Sequence, residues 1–280
     1  MTIRISEIFY SIEGEGPYTG RPTIFVRFFG CNFTCAGFSN ETATSLNFYP
    51  VVESRDELKK QEFKIGCDSA YSWHPHFKNL AKDYADENEV AAEILLLLGA
   101  STHKPILCFT GGEPMLYQKY IGRIWDKVCN RVSSVLIETN GSLKPKAEFW
   151  QGFEQDNSDR LGLANIIWSI SPKLSNSGEP WDKAINPEAI ATMYGETYLK
   201  FVSDGSAESL AEIEKALREY AMGSGMAYKI FRNQTWLMPE GSTFEQQTAI
   251  QRKVADLCIK EGFNFSARVH VWVYNNEIGT

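Results

Sequence analysis

Apolar residues along this chain fall into short continuous runs separated by longer amphipathic stretches. The runs are TIFVRFF (23–29), ILCF (106–109), SVLIE (134–138), IIWSI (166–170), TYLKFV (197–202), TWLMP (235–239) and FSARVHVWV (265–273). They are rich in β-branched and aromatic residues, which predicts strands. The stretches 88–99, 116–130, 206–223 and 243–262 carry helical patterns. The last is expected to start after Ser242, with Glu245 completing a capping box. Strands separated by helices imply βαβ crossovers and a largely parallel sheet, hence an α/β fold. No repeat or low-complexity linker interrupts the pattern, so one domain over 1–280 is expected.

Two segments break the alternation. Residues 36–84 are long, aromatic and irregular, and residues 144–164 are polar around QDNSD. Loops of more than about 12–15 residues are usually functional or disordered. Both follow expected strands, where open α/β sheets and barrels place their ligand face.

Composition narrows the classes. The 280 residues are 43% hydrophobic and 22% charged, with seven Trp, twelve Tyr and seventeen Phe to build a core. The net charge of −7 argues against a general nucleic-acid surface. The longest apolar run, ILLLLGA (94–100), is far shorter than the roughly 18–20 residues of a membrane helix. MTIRISEIFYSIEGEG lacks the apolar core of a secretion signal, so a cytoplasmic protein is expected. Its six cysteines (31, 35, 67, 108, 129 and 258) should then be reduced, favouring metal or catalytic roles over disulfides.

Two motifs carry chemistry. FTGGEP (109–114) stands where a buried strand ends. Its glycines permit close backbone approach and leave N–H groups free for a ligand. Glu113 is placed to accept hydrogen bonds from a ligand ammonium, and Pro114 to start the next helix. The plain alternative is a tight strand-to-helix turn. CNFTC (31–35) follows the first expected strand, with Phe38 where a compact CxxxCxxC loop would carry its third cysteine. Cys108 lies inside an apolar strand and Cys129 and Cys258 lie on helices, so these read as structural. His74 and His76 in WHPHF leave open a zinc site of Cys31, Cys35, Cys67 and His74. The alternative for WHPHF is an aromatic loop packed over the cysteines.

Cysteines after the first strand and a strand ending in GGEP together resemble the radical S-adenosylmethionine (SAM) superfamily. EIFYSIEGEGPYTGRPTIFVRFFGCNFTC (7–35) is similar to the opening of the 7-carboxy-7-deazaguanine synthases within it. That resemblance implies a partial parallel (β/α)6-type barrel and three thiolates holding a 4Fe-4S cluster whose fourth iron is open to SAM. It points to Cys67 as the third thiolate, because Cys67, Asp68 and Ser69 match the family's Cys-Asp-Thr/Ser ending. Thirty-one residues then separate Cys35 and Cys67, with 36–66 as an insertion, a length that costs little because loop-closure entropy grows logarithmically.

By the same resemblance Ser69 would ligate Mg2+. Gly111, Gly112, Glu113, Thr139, Asn140, Ser171 and Lys173 would cradle SAM. Ile12, Glu13, Gly14, Thr110 and Arg27 would line a pterin pocket, Arg27 as a bidentate carboxylate receptor. Met238 stands where the family often has Gln, and His270 is a further pocket candidate outside the main set.

The implied reaction converts 6-carboxy-5,6,7,8-tetrahydropterin to 7-carboxy-7-deazaguanine with loss of ammonia. The implied partners are the small pterin substrate and an electron donor such as a flavodoxin, with a homodimer as a further expectation and no direct nucleic-acid or membrane contact. The competing readings are another small radical SAM enzyme, such as an anaerobic ribonucleotide reductase activase, and a zinc-stabilised module without catalysis.

Overall fold

Buried parallel strands need apolar residues on both faces, and the runs above have that character. In a computed structural model, which describes residues 2–38, 49–154, 165–275 and 277–279, they assemble into one sheet. Its strands are β1 (Ile3–Ile12), β2 (Pro22–Phe28), β3 (Lys82–Tyr84), β4 (Ile106–Gly111), β5 (Val135–Thr139), β6 (Ile166–Ile170), β7 (Glu196–Ser203), β8 (Thr235–Pro239) and β9 (Asn264–Phe265). Among the described residues the order is β3-β1-β2-β4-β5-β6-β7-β8-β9, open at β3 and β9. All neighbours from β2 to β9 are parallel, while β1 runs antiparallel to both β2 and β3. The expected α/β class and mostly parallel sheet are therefore present, with six expected strands realised as β2 and β4 to β8.

The helices are α1 (Arg55–Leu58), α2 (Glu87–Leu98), α3 (Gln118–Val128), α4 (Ala147–Glu154), α5 (Trp181–Ala184), α6 (Pro187–Ile190), α7 (Ala207–Ser224), α8 (Tyr228–Asn233), α9 (Phe244–Glu261) and α10 (Val269–Tyr274). The capping box of α9 lies one residue later than expected. Thr243 accepts from the Gln246 N–H, and the Gln246 side chain accepts from the Thr243 N–H. Gln246 thus supplies the reciprocal bond in place of Glu245.

The larger correction is at the C-terminal end. FSARVHVWV alternates like a strand, yet only Asn264–Phe265 joins the sheet and Val269–Tyr274 is helical. Tertiary contacts override β-propensity here. The Val269 N–H donates to the Gly14 carbonyl at 2.9 Å. Arg268 is pulled inward by Glu15 and Asp68. The segment is thereby drawn across the turn after β1 and away from the sheet edge.

The main core lies between the sheet and its helices, and includes Val26, Phe109, Ile137, Trp168 and Phe201. A second apolar cluster sits under the long excursion: Tyr49, Val52, Leu58 and Phe63 pack with Phe29, Tyr71, Phe77 and Ile278. Part of the excursion, residues 39–48, and all of QDNSD (155–159) lie outside the described residues. No helix among those described is long and apolar enough to cross a membrane.

Helices α3 and α4 meet at two glycines. A Cβ on Gly122 would lie 2.6 Å from the Gly152 carbonyl carbon, so backbone rather than side chain fills the crossing. Gly122→Val should cost about 1–3 kcal/mol by overpacking. The check is a lower urea midpoint at unchanged m-value.

Candidate active site

Parallel strands deliver their C-terminal ends to one side of a sheet, and loops there converge. In this chain they enclose a cavity of about 260 Å³. Its walls include Ile12, Glu13, Gly14, Arg27, Cys31, Cys35, Cys67, Ser69, Thr110, Gly111, Gly112, Thr139, Asn140, Ser171 and Lys173. The structure thus brings together fifteen of the sixteen residues expected from the sequence. The exception is Glu113, fully buried behind the wall.

Cys67 reaches this cavity because the excursion closes on itself. The Gly66 N–H donates to the Phe38 carbonyl at 2.7 Å, so its two ends meet. The Cys67 N–H then donates to the Tyr49 hydroxyl at 2.9 Å. Tyr49 is held in turn by ring contacts to Phe63, Trp73 and His74. Cys31, Phe38 and Cys67 pack around Phe33, Cys35 and Ala184.

Burial pushes the Cys31 thiol up to about 12, and Cys67 up to about 11. Cys35 also lies well above the ordinary value, through burial and the neighbouring Cys67 and Cys31. Three thiols whose pKa values are all raised need a strong cationic centre to become thiolates. Among the described residues no three His, Cys, Asp or Glu side chains close on a single ion. Three thiols gathered on one wall are a donor set that a cluster taking one thiolate at each of three irons would fit. His74 turns instead into the aromatic cluster, stacking edge-on with Trp73, His76 and Phe77. Trp73 lines the cavity.

The GGEP turn is fitted against the base of the cysteine loop. Gly111 has φ +134°, and a Cβ there would lie 2.2 Å from the Phe28 oxygen. At Gly112 a Cβ would meet the Gly30 oxygen at 2.3 Å. Glu113 works from behind. Its Oε1 accepts from Thr139 Oγ1 at 2.7 Å and from the Met115 N–H, and its Oε2 accepts from the Asn140 N–H at 2.8 Å. Asn140 then donates to Asn32 Oδ1 at 2.9 Å. This bracket ties the GGEP turn to the end of β5 and to the cysteine loop. Ser171 and Lys173 bond each other at 3.0 Å on the facing wall.

At the other end lies Arg27. Its Nε donates to Glu7 at 2.9 Å, and Tyr71 donates to the same carboxylate oxygen. Phe9 and Tyr71 present ring faces to the guanidinium. Among the described residues the two terminal nitrogens have no hydrogen-bond acceptor, the edge a ligand carboxylate needs. A Cβ on Gly14 would lie 1.9 Å from His270 Nδ1, so a larger residue there would have to displace that imidazole.

The floor is an ionic ladder that sequence reasoning missed. Lys200 is buried and donates to Glu15 at 2.6 Å and Glu138 at 2.9 Å. Arg268 bridges Glu15 at 2.8 Å and Asp68 at 2.6 Å. Asp68 also accepts from Ser69 Oγ at 3.1 Å, which joins the ladder to the loop following Cys67. Burial alone would raise Glu15, but Lys200 and Arg268 hold it below the usual carboxylate range. His270, drawn down to about 4 by burial and Arg268, is neutral. A charged residue inside an otherwise apolar strand, as in TYLKFV and VLIE, was the available signal for Lys200 and Glu138.

No protein-family model matches the chain. It is 27% identical to the 7-carboxy-7-deazaguanine synthase of Pyrobaculum aerophilum, over 99% of this chain and 97% of that protein. It is also 27% identical to the synthase of Halobacterium salinarum, over 97% and 90%. This chain is a homologue of the 7-carboxy-7-deazaguanine synthases. Among solved structures, the crystal structure of QueE from Escherichia coli shares the fold, with a TM-score of 0.55 at 18% identity over 95% of this chain and 94% of that one.

Glu13 supplies a test of the pocket's electrostatics. Its Oε1 accepts from the Glu15 N–H, while its buried Oε2 has no partner among the described residues. Burial and the nearby Glu138 raise its pKa from 4.5 to about 8. The unfolded chain releases this proton at lower pH than the folded one. Stability is therefore lost progressively as pH rises from about 4.5 toward about 8. Glu13→Gln keeps a neutral group, so its gain in Tm over the native chain should grow across that window. A constant difference between pH 5 and 8 would mean that Glu13 titrates normally.

Proposed function

We propose that this chain is a radical SAM 7-carboxy-7-deazaguanine synthase, converting 6-carboxy-5,6,7,8-tetrahydropterin to 7-carboxy-7-deazaguanine with release of ammonia. The observation that carries the reading is Cys67 on the same cavity wall as Cys31 and Cys35, across thirty-one intervening residues. Homology to full-length synthases supports it.

In this reading Cys31, Cys35 and Cys67 hold the 4Fe-4S cluster, and the excursion is part of the cluster-binding loop. Gly111, Gly112, Ser171 and Lys173 offer backbone and side-chain groups to SAM. Thr139, Asn140 and Glu113 keep that wall in place through their mutual hydrogen bonds. Ser69 offers its hydroxyl to Mg2+, with Asp68 beside it. When bound, the cluster and SAM supply the radical that abstracts hydrogen from the substrate.

The chain's own work is binding, orientation and exclusion of water. Arg27 receives the substrate carboxylate on its free edge, with Glu7 and Tyr71 fixing the guanidinium plane. Neutral Glu13, beside Gly14 and Thr110, offers a donor to the heterocycle. Lys200 and Arg268 offset two of the three carboxylates beneath, which lessens the floor's repulsion of an anionic substrate. A small reductant protein of the flavodoxin kind would deliver the electron.

Reduced protein incubated with SAM, Mg2+ and the carboxytetrahydropterin should yield 7-carboxy-7-deazaguanine by mass spectrometry. SAM cleavage without that product would retain the radical chemistry and remove the substrate. Anaerobic reconstitution should give a brown protein. Cys67→Ala should lose the cluster absorption, while Cys108→Ala, Cys129→Ala and Cys258→Ala should keep it. A Cys67→Ala protein with full iron content would overturn the ligand set.

A further inference from the structure

The cysteine loop is held by a carboxylate far away in sequence. Glu179 Oε1 accepts three hydrogen bonds, from the Thr34 N–H at 2.6 Å, the Thr34 hydroxyl at 3.0 Å and the Cys35 N–H at 2.9 Å. Glu179 is itself fixed, its N–H donating to Ser177 Oγ. The two segments also touch through backbone: the Gly37 N–H donates to the Ser177 carbonyl at 2.9 Å, and a Cβ on Gly37 would lie 2.7 Å from the Gly178 nitrogen. Cys35 has φ +46°, a left-handed conformation uncommon for a residue with a side chain. That conformation goes with an N–H directed to Glu179.

A neutral acceptor would hold two N–H groups as well. A carboxylate at Cys35 instead adds negative charge beside the thiolates that a bound cluster would require, where Lys173 is the positive charge already facing the three thiols. Its visible countercharge is Lys183, whose Nζ lies 3.2 Å from Oε2, is half exposed, and sits over the Phe33 ring. The potential of an iron–sulfur centre depends on local net charge and on hydrogen bonds to its sulfurs. Glu179 acts on both in the same direction: it adds charge, and it takes up two amide N–H groups that could otherwise donate to sulfur.

We propose that Glu179 is a positioning residue that fixes the Cys31–Cys35 loop and lowers the reduction potential of the cluster bound there. The inference rests on the cluster reading above. It concerns a residue outside the three thiolates and the cavity wall.

The test is anaerobic reconstitution of the full chain and of Glu179→Gln, Glu179→Ala and Lys183→Met. Iron and sulfide content and an EPR-monitored redox titration are read for each. Glu179→Gln keeps an oxygen acceptor and removes the charge. It should retain the cluster and shift its potential upward, by about tenfold in the reduced-to-oxidised ratio, or about 59 mV for one electron. Glu179→Ala should lose cluster content several-fold. Lys183→Met, which leaves the loop bonds in place, should shift the potential downward.

Opposite shifts in the Gln and Met variants are not expected of a merely structural carboxylate. Unchanged potentials in both would overturn the inference, and so would full cluster content at native potential in Glu179→Ala. If Glu179→Gln fails to load, the sign of the Lys183→Met shift decides. If the unsubstituted chain takes up no cluster, it is the cluster reading itself that fails.

Discussion

The site depends on one backbone hydrogen bond, from the Gly66 N–H to the Phe38 carbonyl. It closes the excursion and sets Cys67 beside the loop that carries Cys31 and Cys35. A single bond of this kind contributes only about 1 kcal/mol and could not hold a closed loop alone. The apolar cluster of Tyr49, Val52, Leu58 and Phe63 supplies the remainder. Each buried aromatic or aliphatic side chain there contributes about 1.5–3 kcal/mol before its ordering entropy is subtracted. The excursion thus carries its own satellite core, and Tyr49 links that core to the Cys67 backbone.

Charge is arranged around the cavity as a continuous structure. From Asp68 it runs through Arg268, Glu15 and Lys200 to Glu138. Buried ion pairs contribute little to net stability, because desolvation offsets most of their attraction. Their value lies in geometry. Removing any one member leaves its partners charged and buried, which costs several kcal/mol, so the ladder strongly favours one arrangement. That arrangement joins the loop after Cys67, the turn after β1, two central strands and the closing helix.

The sheet was legible because buried parallel strands carry continuous apolar runs, and β2 and β4 to β8 fall on such runs. So were the thiols and the GGEP turn, whose residue types are chemically distinctive. Three features were not. The strand β1 is half-exposed and mixes Ser, Glu and Tyr with its apolar positions, which hides it from a search for apolar runs. The helix α10 reads as a strand locally because its conformation follows from the Arg268 contacts. Glu179 has no local signature at all: it follows Gly178 in a polar turn, and its meaning lies in two amides 144 and 145 residues away. Local pattern reports local conformation and burial, while residues that act across the fold remain silent.

Glu113 shows the same point from within a recognised motif. Read alone, GGEP offers its carboxylate to a ligand. In place, both oxygens are occupied by Met115, Thr139 and Asn140, and the glycines press against Phe28 and Gly30. The burial that raises its pKa is opposed by those donors, first the Asn140 N–H and the Thr139 hydroxyl. A group so enclosed is suited to holding the turn at one distance from the cysteine loop. What it leaves facing the cavity is the backbone of Gly111 and Gly112, whose position is set by the same bracket that reaches Asn32 between the first two cysteines. The cysteine loop and the GGEP turn are therefore one mechanical unit, and a change in either is transmitted to the other through the Asn140–Asn32 bond.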